Sequence, residues 1–170
     1  VPGPMSHKEG FIYGAPNLPG WENIPLRKLL NEATGQRVTI ENDANAAALH
    51  FQNAVTNLID AYRRYGHICA TLDPFGRARP RPQSLSLGHQ GLTDADLDRP
   101  VAAAGLPVRA GSTLREVVAF LEKNYCRSVG AEFMHVSDQS ERQWLIERFE
   151  RDGGSIPLTR GERAHILEQL

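Results

Sequence analysis

Three polar residues, Glu41, Asn42 and Asp43, directly precede an alanine-rich run that ends at Ala48. A carboxylate such as Asp43 can act as a general base when a reacting hydroxyl lies within hydrogen-bond reach. Asn42 or Asp43 can also cap a helix, by accepting a hydrogen bond from a free backbone amide of its first turn. Capping requires no further catalytic group, so both roles are open for this segment.

The other reactive side chains lie singly along the chain. We interpret His67, His89 and His135 as structural, because none has a carboxylate or cysteine partner at a useful spacing in sequence. Cys126 follows an aromatic residue in an apolar context, and we expect it to be a small buried residue. Since Cys69 and Cys126 form no C-x-x-C pair, a reduced cytoplasmic compartment is the simplest expectation. We predict no metal ligands and no cofactor-binding residues.

The elements that would position Asp43 follow from the spacing of apolar residues. A helix is predicted from Pro25 to Thr34 with Gly35 as its left-handed end, and residues 37–41 alternate as a strand does. A long helix should then begin near Asp43 and reach Tyr65. Its apolar stripe keeps heptad phase at Ala44, Ala48, Phe51, Val55, Leu58, Tyr62 and Tyr65. This stripe indicates a helix packed on its own core or, alternatively, a self-associating helix.

The rest of the chain is predicted to be helical around one irregular connection. Residues 73–112 are rich in proline and glycine, with a short helical turn at 93–99. Three later helices are predicted from pairs that form capping boxes: Thr113 with Glu116, Asp138 with Glu141, and Thr159 with Glu162. We therefore predict a mainly α fold, in which a small α/β N-terminal piece with one or two short strands is joined through the long helix to a helical region.

Composition excludes two classes of partner. Nineteen basic side chains against twenty acidic ones leave no net field for nucleic acid or an anionic membrane. No stretch approaches the ~20 apolar residues of a membrane span. The one basic cluster, from Arg77 to Arg81, could contact an anion or an acidic partner, although its prolines favour an extended solvated linker. The chain starts at Val1 without an initiator Met, and we expect it to begin inside a longer parent sequence.

Residues 1–49 resemble the ROK (repressor, open reading frame, kinase) sugar kinases, which include glucokinases. The resemblance rests on VPGP at 1–4, GAPNLPGW at 14–21 and ENDANAAA at 41–48. It implies that Asp43 matches the base of ATP- and magnesium-dependent sugar phosphorylation, that Asn42 matches a sugar ligand, and that Asn17 and the backbone at Gly3 line the same cleft. The family's Asp-x-Gly-Gly-Thr phosphate loop and Glu-x-Gly-His sugar motif do not occur in this sequence. We therefore expect Asp43 to serve as a helix cap.

Residues 52–170 resemble the N-terminal helical region of the first, decarboxylating component of 2-oxoglutarate dehydrogenase. The shared blocks are AYRRYGH at 61–67, LDPFG at 72–76, GLTDADLD at 91–98, TLRE at 113–116, YC at 125–126, VGAEFMH at 129–135 and WL at 144–145. The family uses thiamine diphosphate and magnesium to decarboxylate 2-oxoglutarate and passes the succinyl group to a lipoyl carrier. The resemblance implies a packed helical segment, and it carries no catalytic position onto this sequence.

Two predicted domains follow, residues 1–49 and 50–170, which meet near Leu49, His50 and Phe51 inside the long helix. Our first hypothesis is a non-catalytic fragment or chimera, most of it related to the dehydrogenase component, whose complex subunits are its candidate partners. The second is a sugar-kinase fragment that still binds hexose through Asn17, Asn42 and Asp43. The third is a structural module that forms homo-oligomers through the heptad helix.

Overall fold

A computed structural model gives the fold as two compact units that divide the chain within one helix. The units are residues 1–53, here the N-terminal unit, and residues 54–170, here the C-terminal unit. The structure describes residues 4–6, 8–15, 18–73, 75–77, 79–102, 105–152 and 158–169. The architecture is mainly helical with one small sheet, as the sequence predicts.

The N-terminal unit begins with a two-stranded antiparallel sheet. Strand β1 (Met5–Ser6) pairs with β2 (Phe11–Ile12), in a register that sets Met5 opposite Ile12. Ile12 is fully buried and forms an isolated bridge with Ile24. The sequence indicates β2 through the run Phe11-Ile12-Tyr13, the one possible short strand among the first twenty residues. Strand β1 has only two residues, too few to show a periodic pattern.

Helix α1 (Leu26–Thr34) follows and ends as predicted. Gly35 adopts a left-handed conformation with φ of 66°, and its amide donates to the Asn31 carbonyl at 2.9 Å. A left-handed residue at this position favours glycine, because a Cβ is strained there.

The strand predicted at residues 37–41 is wrong. These residues are irregular, and the Val38 amide donates to Oδ1 of Asn31 at 2.8 Å. Alternation of side chains suffices to bury one face of the segment, as at Ile40, but a strand also needs a neighbour to complete its backbone hydrogen bonds. The described part of the chain supplies no such neighbour to this segment.

Helix α2 (Asp43–Tyr65) is unbroken and passes through the predicted join. Its predicted apolar stripe is correct only in part. Ala44, Ala48 and Tyr65 at the two ends of the stripe are exposed, whereas Phe51, Val55, Leu58 and Tyr62 between them are buried. The two alanines present too little apolar surface to require burial, since the stabilisation scales with the area removed from water.

The described part of the C-terminal unit contains three further α-helices. They are α3 (Leu114–Tyr125), α4 (Gln139–Asp152) and α5 (Arg160–Glu168). Thr113 and Thr159 each form the predicted capping box, and Oδ1 of Asp138 accepts from the Glu141 amide at 2.8 Å. Where it is described, the connection before α3 forms short 3-10 turns at Gln83–Leu85, Gly88–Gln90 and Asp94–Asp96.

The core of the C-terminal unit uses matching apolar stripes on α2 and α3. Its buried side chains include Ala54, Val55, Leu58, Ile59, Leu114, Val117, Leu121, Ile146 and Phe133. Tyr125 packs against Phe133 and Phe149, with ring centroids 6.5 and 5.2 Å apart respectively. A 3-10 turn, Gly66–Cys69, extends α2 and packs against α3.

Helices α4 and α5 bury fewer of their apolar residues than the sequence indicates. Trp144 is 61% exposed, and Ile166 and Leu167 also lie largely in solvent. The inward positions of α4 are instead Ile146 and Glu150. The last predicted helix uses Ile166, Leu167 and Leu170, of which Leu170 lies outside the described residues. No helix in the described part of the chain combines the length and the hydropathy that a bilayer crossing requires.

Candidate functional site

The predicted base Asp43 lies at the first residue of α2 and is exposed. Asn42 precedes it, and its Oδ1 accepts a hydrogen bond from the Ala44 amide at 2.9 Å. This is the bond of an N-cap side chain to the second helical residue. Asp43 Oδ1 accepts from the same amide at 2.9 Å. Both predicted residues thus bind the free end of the helix, with Asn42 in the cap position.

The other two predicted sugar-contacting residues, Gly3 and Asn17, lie outside the described residues. Their described neighbours line a cleft of about 370 Å³ in the N-terminal unit. The lining residues are Pro4, Gly14, Ala15, Leu18, Pro19, Gly20 and Glu22. Neither Asn42 nor Asp43 lines this cleft. The structure therefore does not bring the four predicted residues together within the part that it describes.

The C-terminal unit contains a buried polar cluster that the sequence analysis missed. Glu150 of α4 is completely buried, and its two carboxylate oxygens accept from Arg63 of α2 at 2.8 Å (Nε to Oε1) and 3.1 Å (Nη2 to Oε2). Tyr125 of α3 donates its hydroxyl to Oε1 at 2.8 Å. Burial and then the charge of Glu150 raise the pKa of Tyr125. The cluster joins three helices through one carboxylate.

A second polar cluster lies where α2, α3 and the irregular connection meet. The Tyr62 hydroxyl donates to Glu122 Oε1 at 2.6 Å, and Arg81 binds both the Tyr62 hydroxyl, at 2.7 Å, and the Glu122 carboxylate. Burial acts to raise the pKa of Glu122, but the hydrogen bonds from Arg81 and Tyr62 outweigh it, so the pKa is lowered. Glu122 is therefore held as a carboxylate between two donors.

Cys126 follows α3 next to this second cluster. Burial, followed by the negative charge of Glu122, raises the pKa of the Cys126 thiol to about 12. A thiol with such a pKa is almost wholly protonated at neutral pH and makes a poor nucleophile. The side chain is half-buried, less enclosed than its apolar sequence context suggested.

We predict from the sequence that Arg63, Arg64 and Arg115 pair with Asp60, Asp73 or Glu132 to fix the helices. Within the described residues Arg63 and Arg115 form ion pairs, mostly with other partners, and Arg64 forms none. Arg63 lies 3.7 Å from Asp60, an expected partner, but its shorter contact is to Glu150. Arg115 binds Asp98 at 3.1 Å. No sequence signal identifies Glu150 as the partner of Arg63, because a glutamate on a helix is normally a solvent-facing residue. The one available hint was that Glu150 lies four residues after Ile146, on the same face of α4.

Among the described residues, His67 lies near a carboxylate that the spacing of residues in the sequence does not reveal. Nε2 of His67 lies 3.8 Å from Glu132, on the segment that follows α3. The described residues contain no group of three or more histidine, cysteine, aspartate or glutamate side chains placed to hold a metal ion.

Comparison with known proteins divides the chain into two parts. Residues 1–61 match the ROK family. Over 121 residues, 70% of the chain, it is 41% identical to the 2-oxoglutarate dehydrogenase E1 component of Azotobacter vinelandii. The chain joins a ROK-like segment to a dehydrogenase-like one. The second resemblance extends to the Coxiella burnetii 2-oxoglutarate dehydrogenase E1 component, 39% identical over 70% of the chain, and to the multifunctional 2-oxoglutarate metabolism enzyme of Mycobacterium sp. strain JLS, 37% identical over 74%.

The ROK-like and dehydrogenase-like matches overlap inside α2. The ROK match ends at residue 61, and a match of 119 residues in a 170-residue chain begins no later than residue 52. The middle of α2 therefore fits both families. The chain spans about 13% of the length of the Azotobacter and Coxiella relatives and about 10% of the mycobacterial one.

Proposed function

We propose that the dehydrogenase-like segment is a non-catalytic helical scaffold of the kind that the E1 components of 2-oxoglutarate dehydrogenase contain. The observation that carries this proposal is the environment of Glu150. Its carboxylate is sealed from solvent, and both of its oxygens accept hydrogen bonds from Arg63 or Tyr125. A buried carboxylate paired in this way holds helices together and has no open position for a substrate.

Thiamine diphosphate and magnesium, which the resemblance implies for the whole enzyme, have no place in this scaffold role. We propose that residues outside this chain bind them in the longer relatives. Isothermal titration calorimetry with thiamine diphosphate and Mg²⁺ tests the proposal, and we expect no heat of binding. Saturable binding in the micromolar range would show that this chain holds cofactor ligands and would overturn the scaffold role.

The ROK-like segment supports a second candidate function, the binding of a hexose without its phosphorylation. The family match at residues 1–61 favours it. In this candidate, Asn42 and Asp43 contact sugar hydroxyls in addition to capping α2. ATP and magnesium would be needed only for the kinase step.

Calorimetry with glucose tests the hexose proposal. Binding heat that disappears in both Asp43→Asn and Asn42→Ala would support it. Glu9→Gln is a matched control, because Glu9 is exposed and lies outside the predicted site. No binding, or binding unaffected by the two site variants, would leave Asn42 and Asp43 with their capping role alone.

We also propose the domain boundary 1–49 and 50–170, a cytoplasmic location, and association with other subunits of a 2-oxoglutarate dehydrogenase complex. The fragment 50–170 should unfold cooperatively by circular dichroism, and a broad non-cooperative transition would contradict the boundary.

Self-association through α2 is the alternative to complex membership. Light scattering distinguishes the two, since a mass that stays monomeric at every concentration contradicts self-association.

A further inference from the structure

A cleft of about 380 Å³ opens in the C-terminal unit beside the 3-10 turn that extends α2. Residues 68–73 form one wall, and Gly76, Arg77, Arg79 and Arg81 form the other. The first wall is fixed at Thr71, whose amide donates to the Arg127 carbonyl at 2.7 Å. We call this space the arginine cleft.

Two of the three guanidinium groups are held in place by internal partners. Arg77 Nε lies 3.2 Å from Asp73 Oδ2, and its guanidinium carbon lies 5.8 Å from the centre of the Phe75 ring. Arg81 is bound by Glu122 and by the Tyr62 hydroxyl. Groups fixed before binding lose less conformational entropy when a ligand arrives.

Arg79 differs from its two neighbours. Its side chain is exposed and forms no ion pair or hydrogen bond with any residue that the structure describes. Among the described lining residues, Asp73 is the one acidic side chain against three arginines. The arginine cleft therefore carries excess positive charge, although the whole chain has a formal net charge of −1.

We propose that the arginine cleft binds a small multivalent oxyanion, with Arg79 as its principal ligand and Arg77 and Arg81 on either side. Planar guanidinium groups match the oxygens of phosphate and carboxylate, to which they donate paired hydrogen bonds. Phosphate esters and polycarboxylates both carry several anionic oxygens that can accept such paired hydrogen bonds. The site is independent of the scaffold role proposed above, and each can fail without the other.

Substitution of Asp73 should change anion binding in the opposite direction to substitution of Arg79. Its carboxylate both repels an incoming anion and occupies Arg77. Asp73→Asn removes the charge, while its amide oxygen can still accept the hydrogen bond that Asp73 Oδ1 receives from the Phe75 amide at 2.8 Å. Anion binding should therefore become tighter in this variant, whereas Arg79→Gln should weaken it.

Titration of the ¹⁵N-labelled chain with pyrophosphate and, separately, with citrate tests the site by NMR. At low salt we expect saturable shifts of amides at residues 68–81, and the stronger of the two probes identifies phosphate or carboxylate as the preferred source. Arg79→Gln should weaken binding roughly tenfold, the scale of one charge-assisted hydrogen bond. Asp73→Asn should tighten it severalfold, and added salt should weaken it.

Arg160→Gln is the matched control, because it removes the same charge from an exposed arginine of α5 that does not line the cleft. Its affinity should equal that of the unmodified chain. Equal losses in Arg79→Gln and Arg160→Gln would reduce the effect to general charge attraction and overturn the proposal. So would the lack of any binding at millimolar pyrophosphate and citrate, or binding of a polyglutamate peptide alone.

Discussion

Arg63 and Glu150 lie 87 residues apart in sequence and form a two-pronged ion pair in which the glutamate side chain has no solvent exposure and the arginine side chain only 12%. Without its partner, either residue would be an unpaired buried charge. Removing one partner of such a pair is far more costly than removing both, because a lone charge remains in a poorly solvated place. The pair therefore fixes α4 against α2.

We predict that Arg63→Met lowers the free energy of unfolding by about 3–5 kcal/mol, since Glu150 is left buried and unpaired. The double variant with Glu150→Met should recover much of this loss. Arg64→Met is the control: Arg64 is the next residue, is exposed, and makes no ion pair with the described residues, so its change should stay within about 0.5 kcal/mol. Urea unfolding measures all three. Equal effects of Arg63→Met and Arg64→Met would contradict the prediction.

Stability should fall in acid partly through Glu122. Its pKa in the folded chain is lowered, so its stabilising effect is complete above its unfolded pKa of about 4.3 and is lost as pH falls through the folded value. We expect the urea midpoint to drop less between about pH 7 and about pH 3 in Glu122→Gln than in the unmodified chain. Glu147→Gln, a change at an exposed glutamate of α4, serves as control. A Glu122→Gln profile parallel to that of the unmodified chain would refute the assignment.

Gly66 allows the 3-10 turn to approach α3. A Cβ added there would lie 2.5 Å from Cβ of Tyr125, an atom that cannot move without its helix. We predict that Gly66→Ala destabilises the chain by about 1–3 kcal/mol. Gly161→Ala is the control, because an added Cβ meets nothing within 4 Å and alanine favours the α5 helix. Thermal unfolding should order the variants Gly161→Ala, unmodified chain, Gly66→Ala from most to least stable.

Cys126 should react slowly with alkylating reagents. With its pKa raised to about 12, only a very small fraction of the folded population carries the thiolate at about pH 8. A Cys69→Ser variant isolates this thiol, and mass spectrometry after iodoacetamide treatment gives the rate. Unfolding in urea should accelerate the reaction strongly. A native rate equal to the unfolded rate would show that the Cys126 environment does not suppress the thiolate.

Local signals account for the parts of the fold that the sequence predicted. Gly35 ends α1, and Thr113 and Thr159 begin α3 and α5, because capping depends on residues within a few positions of each other. The strand expected at residues 37–41 failed because pairing depends on a distant neighbour. The role of Asp43 as a base remains a prediction, while its contact with the Ala44 amide is part of the fold.

The two polar clusters could not be derived from the sequence. Glu122 and Tyr62 are 60 residues apart, and no period within either helix identifies their contact. The sequence indicated that Arg77, Arg79 and Arg81 form a basic cluster. It did not indicate that residues 68–73 form the other wall of the arginine cleft. Linear spacing describes a helix face well, and it says little about which faces meet.

The long sequence separation of the Arg63–Glu150 pair also sets an order of events during synthesis. Arg63 leaves the ribosome while α4 is still untranslated, and the guanidinium can be sealed from water only after Glu150 follows. Since chains emerge at about 5–20 residues per second, this wait lasts several seconds. The buried cluster of Arg63, Tyr125 and Glu150 therefore cannot form until α4 has been synthesised.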